Sequence, residues 1–212
     1  MSADARVLRV DAAATQSEII EAAAACIRAG GIVAFPTDTL YGLAASPFDE
    51  AAVQKVLIVK RRPAGQPLPL IAASLETAER AGHFTALARR LAEGFWPGPL
   101  TILVPADSAI VRDVHQGTGR VGIRVPDHAV ARALAAASGG LITATSANRS
   151  GEPPAERAET VVHLAAAGVE LVLDAGPVAG GPPSTIVDAA GDRPVLVRAG
   201  AVPWERVLEF VR

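Results

Sequence analysis

Residues 35–43 read FPTDTLYGL and gather three hydroxyl groups and one carboxylate directly after the apolar run GGIVAF. Thr37, Thr39 and Tyr41 carry the hydroxyls, and Asp38 carries the carboxylate. Turns favour Gly, Asn, Asp or Pro for backbone reasons, so turn formation does not explain these side chains. They indicate a site for a small polar ligand at the end of a buried strand. A capped turn with a packed tyrosine is the alternative interpretation of this stretch.

Three adjacent cations, Lys60-Arg61-Arg62, precede Pro63 at the predicted end of a helix. Lysine offers a point charge to a phosphate, and arginine offers a planar fork that fits its oxygens. The run therefore predicts a polyanion clamp. The alternative is a solvated helix C-terminus, where positive charge is favourable. The sequence contains no GxxxxGK[ST] segment, which excludes a P-loop nucleotide site.

Three further strand ends carry groups of the same kind. Arg124 interrupts the apolar strand pattern VGIRVP, where it could reach a substrate carboxylate or simply lie on a wet face. The segment LITATSANRSG ends in hydroxyls and an amide, which can hydrogen-bond phosphate or ribose or can form a capped turn. Its polar residues are Thr143, Thr145, Ser146 and Asn148.

The third strand end is the segment GPVAGGPPST, in which Ser184 and Thr185 follow a glycine- and proline-rich loop, with Arg198 on the next predicted strand. Glycine-rich loops can present backbone N–H groups to an anion, although a flexible hairpin is the simpler interpretation. None of these segments contains a Ser-His-Asp set, a metal-ligand cluster or a pair of catalytic carboxylates, and the 4 histidines stand in unrelated, surface-like contexts. The pattern therefore predicts that substrates react with each other while the protein positions them and neutralises charge.

Alternating strand and helix patterns must position these groups. We predict strands at 6–10, 31–35, 67–73, 96–106, 120–126, 141–147 and 169–174, and two more in STIVDA and PVLVRAG. Helices are predicted after a capping box at Thr15–Glu18, from Asp49 to about Lys60, over about 74–82, 85–94, 127–138 and 156–167, and after Pro203. The two prolines of PLPLIAA favour an edge position or late entry into pairing. The order predicts one mixed α/β sheet in a single domain, with ligands at the strand ends.

Composition narrows the function. The chain has 212 residues, 50% of them hydrophobic, and a formal net charge of −2, which argues against a dedicated nucleic-acid coat. Its single cysteine, Cys26, lies in an Ala-rich helical pattern typical of a structural thiol and permits no internal disulfide. The N-terminus has no apolar signal core and no stretch reaches about 18 consecutive apolar residues, so we expect a soluble cytoplasmic protein.

Together these segments resemble one known family. From about residue 15 to residue 200 the chain is similar to the YrdC-like family of threonylcarbamoyl-AMP synthases, in the short form without an extra C-terminal domain. The resemblance is carried, in order, by GGIVAFPTDTLYGLAA, KRRPAGQPLPL, WPGPLTILV, VGIRVPDH, TSANRSGEPP, STIVD and VLVRAG. It implies a single-domain YrdC-like α/β fold over residues 1–212, with a twisted mixed parallel and antiparallel sheet flanked by helices.

The resemblance also implies an activity. The family joins L-threonine, bicarbonate and ATP into threonylcarbamoyl-AMP and releases pyrophosphate, which makes it a nucleotidyltransferase, and Mg²⁺ would accompany the ATP without dedicated protein ligands. A partner transferase then modifies tRNA next to the anticodon, and a weak direct tRNA contact is conceivable. By position, Thr39, Arg124 and Ser184 would bind threonine. The residues matching the ATP site are Lys60, Arg62, Gln66, Ser146, Asn148 and Arg198, with Lys60 and Arg62 in catalytic positions.

Several positions depart from the family pattern. Arg61 stands where glycine is frequent, Gln66 where asparagine is frequent, and Ile71 where some members have a histidine that contacts threonine. Pro154 replaces a serine that contacts ATP in some members. The alternative function is an RNA-binding YrdC-like protein without synthase activity, which the basic run favours and the acidic net charge disfavours. A carbamoyl-transfer module of hydrogenase maturation is disfavoured by the single cysteine and the chain length.

Overall fold

The computed structural model describes residues 5–11 and 16–212. In chain order, the strands of this part are β1 (Arg6–Arg9), β2 (Val33–Phe35), β3 (Gly42–Ala44), β4 (Leu70–Ala72), β5 (Leu100–Pro105), β6 (Arg120–Arg124), β7 (Leu141–Thr143), β8 (Thr145–Ser146), β9 (Leu171–Asp174), β10 (Thr185–Asp188) and β11 (Val195–Arg198). The α-helices are α1 (Ser17–Arg28), α2 (Glu50–Lys60), α3 (Leu75–Ala78), α4 (Ala86–Phe95), α5 (Arg112–His115), α6 (Ala129–Ala137) and α7 (Trp204–Val211).

These strands form two mixed sheets flanked by helices, which confirms the mixed α/β class but divides the expected sheet in two. The first sheet has the order β1-β9-β2-β3-β8, with β1, β9 and β2 parallel and β3 and β8 antiparallel additions. The second has the order β11-β10-β5-β6-β4-β7 and mixes parallel and antiparallel pairs.

The chain passes directly from one sheet to the other at Ala144. Leu141–Thr143 pairs with β4 in the six-stranded sheet, whereas Thr145–Ser146 pairs with β3 in the five-stranded sheet. Thr143 ties the two together, because its hydroxyl accepts from Ala45 N at 2.9 Å and donates to Leu43 O at 3.3 Å. The junction therefore places the polar segment after β8 beside the loop that leads into β3.

The buried side chains explain why helices cover the sheets. Alanines dominate the contact between α1 and α6, and these helices pack with Phe35, Ile71 and Leu173 in one apolar cluster. A larger cluster joins α2, α4 and the central strands around Leu70, Ile102 and Ile123. Small alanine side chains let helices approach closely, which suits a chain with 4% aromatic residues.

Local signals correctly predicted most elements. The Asp49 side chain accepts from Ala52 N at 3.2 Å and caps α2, as expected. Strand β4 starts only after Pro69 and lies between β6 and β7, so late entry into pairing is confirmed and an edge position is not. The predicted helix over 156–167 is instead two 3₁₀ helices, Ala158–Thr160 and Val162–Ala167.

Two short elements were not predicted, namely β3 and α5, which span three and four residues. The strand predicted at 141–147 is divided at Ala144 into β7 and β8. The capping box predicted at Thr15 falls on a residue outside the described part, and helix α1 begins at Ser17. No helix among the described residues is both long and apolar enough to cross a membrane.

Candidate active site

The loop between β2 and β3 is shaped by the side chain of Thr37. Its Oγ accepts from the N–H groups of Thr39 (3.1 Å) and Leu40 (3.2 Å) and donates to the carbonyl of Leu40 at 2.7 Å. The Oγ atoms of Thr37 and Thr39 also lie 3.1 Å apart, but Thr37 already accepts two hydrogen bonds and donates one, which is its full capacity. The Thr39 hydroxyl therefore remains able to accept a hydrogen bond from a ligand or to donate one to it.

Tyr41, the third hydroxyl of this loop, anchors a neighbouring segment. Its OH donates to the carbonyl of Gly176 at 2.7 Å and accepts from Ala175 N at 3.3 Å. The residue is fully buried, and burial raises the pKa of its hydroxyl to about 12. Tyr41 therefore fixes the start of the glycine-proline loop, and the two polar loops around it are held together.

Asp38 pairs across the two sheets with Arg124 at the end of β6. Arg124 Nη1 donates to Asp38 Oδ1 at 3.0 Å, and the two side chains are only 9% and 12% exposed. Asp38 Oδ2 is buried and has no hydrogen-bond partner among the described residues. Burial lowers the pKa of nearby His128 below its ordinary value, which favours the neutral imidazole, and the buried Nδ1 of His128 has no hydrogen-bond partner among the described residues.

Lys60, at the last turn of α2, holds the segment that follows β8. Its Nζ donates to Asn148 Oδ1 (2.6 Å), Ser146 O (2.7 Å) and Ser146 Oγ (3.2 Å), which occupies all three ammonium protons. Ser146 Oγ also donates to Asn148 Oδ1 at 2.6 Å. The lysine is 2% exposed, and burial, reinforced by the charge of Arg62 and opposed by Glu152, lowers its pKa to about 8.

Arg62 clamps the loop after α2 onto β8. Its guanidinium donates to the carbonyls of Gln66 (3.0 Å) and Pro67 (2.7 Å), and to Thr145 Oγ1 at 3.3 Å. Gln66 thus contributes its backbone, while its side chain is exposed. Arg61, between the two site cations, closes helix α2 in the left-handed region at φ 48° and ψ 45°.

Ser184 and Arg198 meet at the start of β10. Arg198 Nη2 donates to Ser184 O at 2.7 Å and to Ser184 Oγ at 3.3 Å. The Ser184 hydroxyl also lies 2.8 Å from the hydroxyl of Thr101, which is buried on β5. Thr101 is a site residue that sequence reasoning missed; its only signal is a polar residue within the apolar segment PLTILV.

The predicted cations form one electrostatic group. The charge of Arg198 lowers the pKa of both Arg62 and Arg124, beyond the larger effect of burial on each. Burial also lowers the pKa of Arg198 itself. Such clustering is costly without an anion, because like charges repel more strongly away from water. The arrangement therefore suits a polyanionic ligand next to a carboxylate.

Two predicted features play other roles. Thr143 is fully buried and joins the sheets, so it does not face a ligand with Ser146 and Asn148. Ile71 is fully buried, and its strand position pairs with Arg124 and with Ile142. Ile71 is therefore part of the core and does not face a ligand.

Comparison with known proteins gives a consistent result. The family model named for Sua5, YciO and YrdC, with the description "Telomere recombination", matches residues 25–200. The threonylcarbamoyl-AMP synthase of Pyrococcus abyssi is 40% identical over 193 residues, covering 91% of this chain and 57% of the relative. That of Bacillus subtilis is 39% identical over 199 residues, covering 93% of this chain and 58% of the relative.

A solved structure matches as well. The crystal structure of P. abyssi Sua5 complexed with L-threonine superposes with a TM-score of 0.88 at 36% identity, covering 96% of this chain and 60% of that one. The chain therefore spans just under three fifths of the length of the two curated relatives.

Proposed function

The chain belongs to the Sua5, YciO and YrdC family, and on that premise we propose that it joins L-threonine, bicarbonate and ATP into threonylcarbamoyl-AMP with release of pyrophosphate. This would make it a nucleotidyltransferase. The observation that carries the proposal is a cluster of four cations, of which Lys60 and Arg124 are buried, Arg62 is partly buried and Arg198 is exposed, with Asp38 as the one carboxylate that pairs with any of them among the described residues.

The cluster divides into two regions that suit two substrates. Arg124 ends β6 and Ser184 precedes β10, both in the six-stranded sheet, whereas Thr39 lies in the loop after β2 of the other sheet. A carboxylate on Arg124 and a hydroxyl donating to Thr39 describe threonine. The P. abyssi relative crystallised with L-threonine supports this assignment. Lys60, Arg62 and Arg198 would face the phosphates of ATP.

The first chemical step would form a carbamate. Threonine would bind as an ammonium and lose one proton to solvent; the free amine then attacks carbon dioxide derived from bicarbonate and releases a second proton as the carbamate forms. The protein's contribution would be positional, because holding two reactants in contact removes much of the entropic barrier. Arg124 would fix the carboxylate end, so that the amine faces the nucleotide.

In the second step a carbamate oxygen attacks the α-phosphorus of ATP, and pyrophosphate leaves. Negative charge grows on the phosphate oxygens, where Lys60, Arg62 and Arg198 would stabilise it. All three ammonium protons of Lys60 are already donated in hydrogen bonds, so a phosphate oxygen would have to replace one of the present acceptors. The longest contact, to Ser146 Oγ at 3.2 Å, is the natural one to exchange.

Mg²⁺ would enter with ATP. Among the described residues, no group of three or more His, Cys, Asp or Glu side chains could hold a metal ion. Mg²⁺ at nucleotide sites commonly keeps several waters and binds substrate phosphates, so we expect ATP to carry it into the site. Bound there, it would neutralise phosphate charge.

The product would be consumed by a transferase that modifies tRNA next to the anticodon, which would make the cytoplasm the place of action. Lys60, Arg61 and Arg62 could add a weak tRNA contact, and the net charge of −2 makes such a contact secondary.

The proposal is tested by following pyrophosphate release with ATP, bicarbonate and threonine. Release should depend on threonine. Arg124→Ala should weaken threonine affinity by about 10–150-fold, which is the contribution of a charge-assisted hydrogen bond. Arg120→Ala is the matched control, because Arg120 begins the same strand, is exposed and pairs with Asp188. Release that proceeds equally without an amino acid would refute the proposal.

A further inference from the structure

We propose that Asp38 is a specificity-determining residue that accepts the ammonium group of the amino acid substrate, beside Arg124, which takes its carboxylate. The inference rests on the proposed function and extends it, because it assigns the recognition of the α-amino group. In this assignment Asp38 and Arg124 together recognise the ammonium and carboxylate groups of the amino acid.

The geometry of the ion pair leaves both partners partly free. An arginine and a carboxylate that serve only each other commonly form two parallel hydrogen bonds. Here a single contact joins Arg124 Nη1 to Asp38 Oδ1 at 3.0 Å, and Asp38 Oδ2 has no partner within the described residues. One buried carboxylate oxygen therefore lacks a donor, next to a guanidinium that has further donors to offer.

An unsatisfied buried acceptor is costly, and a bound ammonium would remove that cost. Ammonium groups have three donors and carry the charge that a carboxylate prefers. The nearby His128 does not supply this donor, because Asp38 Oδ2 and His128 Nδ1 are both buried without a hydrogen-bond partner among the described residues, and burial favours the neutral imidazole by lowering its pKa.

Charge supplies the second argument. Arg124 and Arg198 are close enough for the charge of one to lower the pKa of the other. A site with only these cations would attract any hydroxy acid and would repel an ammonium. Asp38 makes the site favour an amino acid over a hydroxy acid, because its negative charge beside Arg124 can attract the ammonium group.

The loop holds Asp38 in place for this task. Thr37 fixes the backbone on both sides of Asp38 through its contacts to Thr39 N and Leu40. The neighbouring Thr39 hydroxyl lies 3.1 Å from that of Thr37 and can still accept a hydrogen bond. Loop residues 38 and 39 would thus accept from the ammonium and the hydroxyl of one threonine, while Arg124 donates to its carboxylate.

The test measures binding by calorimetry for two ligands, L-threonine and 3-hydroxybutyrate of the same configuration at the hydroxyl carbon, which lacks the amine. Wild-type protein should bind threonine more tightly. Asp38→Asn keeps the shape and an oxygen for Arg124 but removes the charge. It should weaken threonine binding by about tenfold or more and leave 3-hydroxybutyrate binding unchanged or stronger. Asp127→Asn is the control, since this carboxylate is 72% exposed and contacts Arg132.

Other outcomes would overturn the inference in distinct ways. Equal weakening of both ligands would mean that Asp38 only positions Arg124, and tighter threonine binding would mean that it competes with the substrate. Should Asp38→Asn fail to fold in a thermal melt, the wild-type comparison decides, because equal affinity for both ligands contradicts ammonium recognition. Wild-type protein that binds no threonine would overturn the proposed function as well.

Discussion

Replacing Lys60 by methionine should separate the function of this site from the stability of the fold. Methionine matches the apolar stem of lysine and removes the ammonium. Three hydrogen bonds disappear, to Ser146 O, Ser146 Oγ and Asn148 Oδ1. The carbonyl of Ser146 keeps a bond from Asn148 N at 2.9 Å, and Asn148 Oδ1 keeps one from Ser146 Oγ at 2.6 Å.

The expected change in stability is small for that reason. Ser146 Oγ loses the donor Lys60 but still donates to Asn148 Oδ1, and the other two acceptors each keep a donor. The cost of burying an ammonium, visible in the lowering of the Lys60 pKa to about 8, is removed. Replacing buried charge by apolar groups of similar volume is often neutral, so we expect the free energy of unfolding to stay within about 1–2 kcal/mol of wild type. The melting temperature should move by no more than roughly 4–8 °C.

The functional change should be much larger. Loss of one electrostatic donor at a site of developing charge costs about 10²–10³ in rate, and ATP binding should weaken as well. Pyrophosphate release, ATP calorimetry and thermal melts on the same protein provide the assay. Lys55→Met is the matched control, because Lys55 lies on the same helix and donates to Gly30 O, away from the site.

Lys60→Met with wild-type ATP binding and turnover would refute the placement of Lys60 at the phosphates. A variant that unfolds would instead show that the lysine holds the segment after β8 and that its charge is structural.

Three further predictions follow from single contacts. Arg61→Gly should stabilise the protein by about 0.5–1 kcal/mol in a thermal melt, because Arg61 has φ 48° and glycine tolerates this region; an unstable variant would show that the arginine side chain holds the loop. The kcat/KM for ATP should fall as pH rises through about 8, where Lys60 of the free enzyme loses its proton, and a flat profile contradicts the assignment. The stability of wild type relative to Lys60→Met should rise over the same pH range, because the lysine of the unfolded chain keeps its proton up to its ordinary pKa of 10.5. Thr39→Val should weaken threonine binding about tenfold and leave 2-aminobutyrate binding unchanged, while Thr39→Ser should stay close to wild type; equal effects on both ligands would remove the hydroxyl contact.

Sequence patterns predicted the fold well where elements are long or capped. Helix α2 begins after the Asp49 cap and ends at Lys60, as its pattern indicated. The division into two sheets could not be predicted, because it depends on strands β3 and β8, which have three and two residues. Short, fully buried strands show neither alternation nor a period.

The same limit applies to the site. Strand ends indicated the right neighbourhood for Asp38, Arg124 and Ser146, since residues after core strands gather at sheet edges. The use of each hydroxyl could not be predicted. Thr37 binds its own loop and Tyr41 binds Gly176, and both uses depend on contacts that only the folded chain creates.

The central claim is that this chain builds a threonylcarbamoyl group onto AMP. Incubation with ATP, threonine and ¹³C-labelled bicarbonate, followed by mass spectrometry of the nucleotide fraction, tests it directly. The account predicts a nucleotide with the mass of threonylcarbamoyl-AMP that carries the labelled carbon, forms in step with pyrophosphate and is absent without threonine. Pyrophosphate release with no labelled nucleotide, or an adenylated threonine without the label, would contradict it.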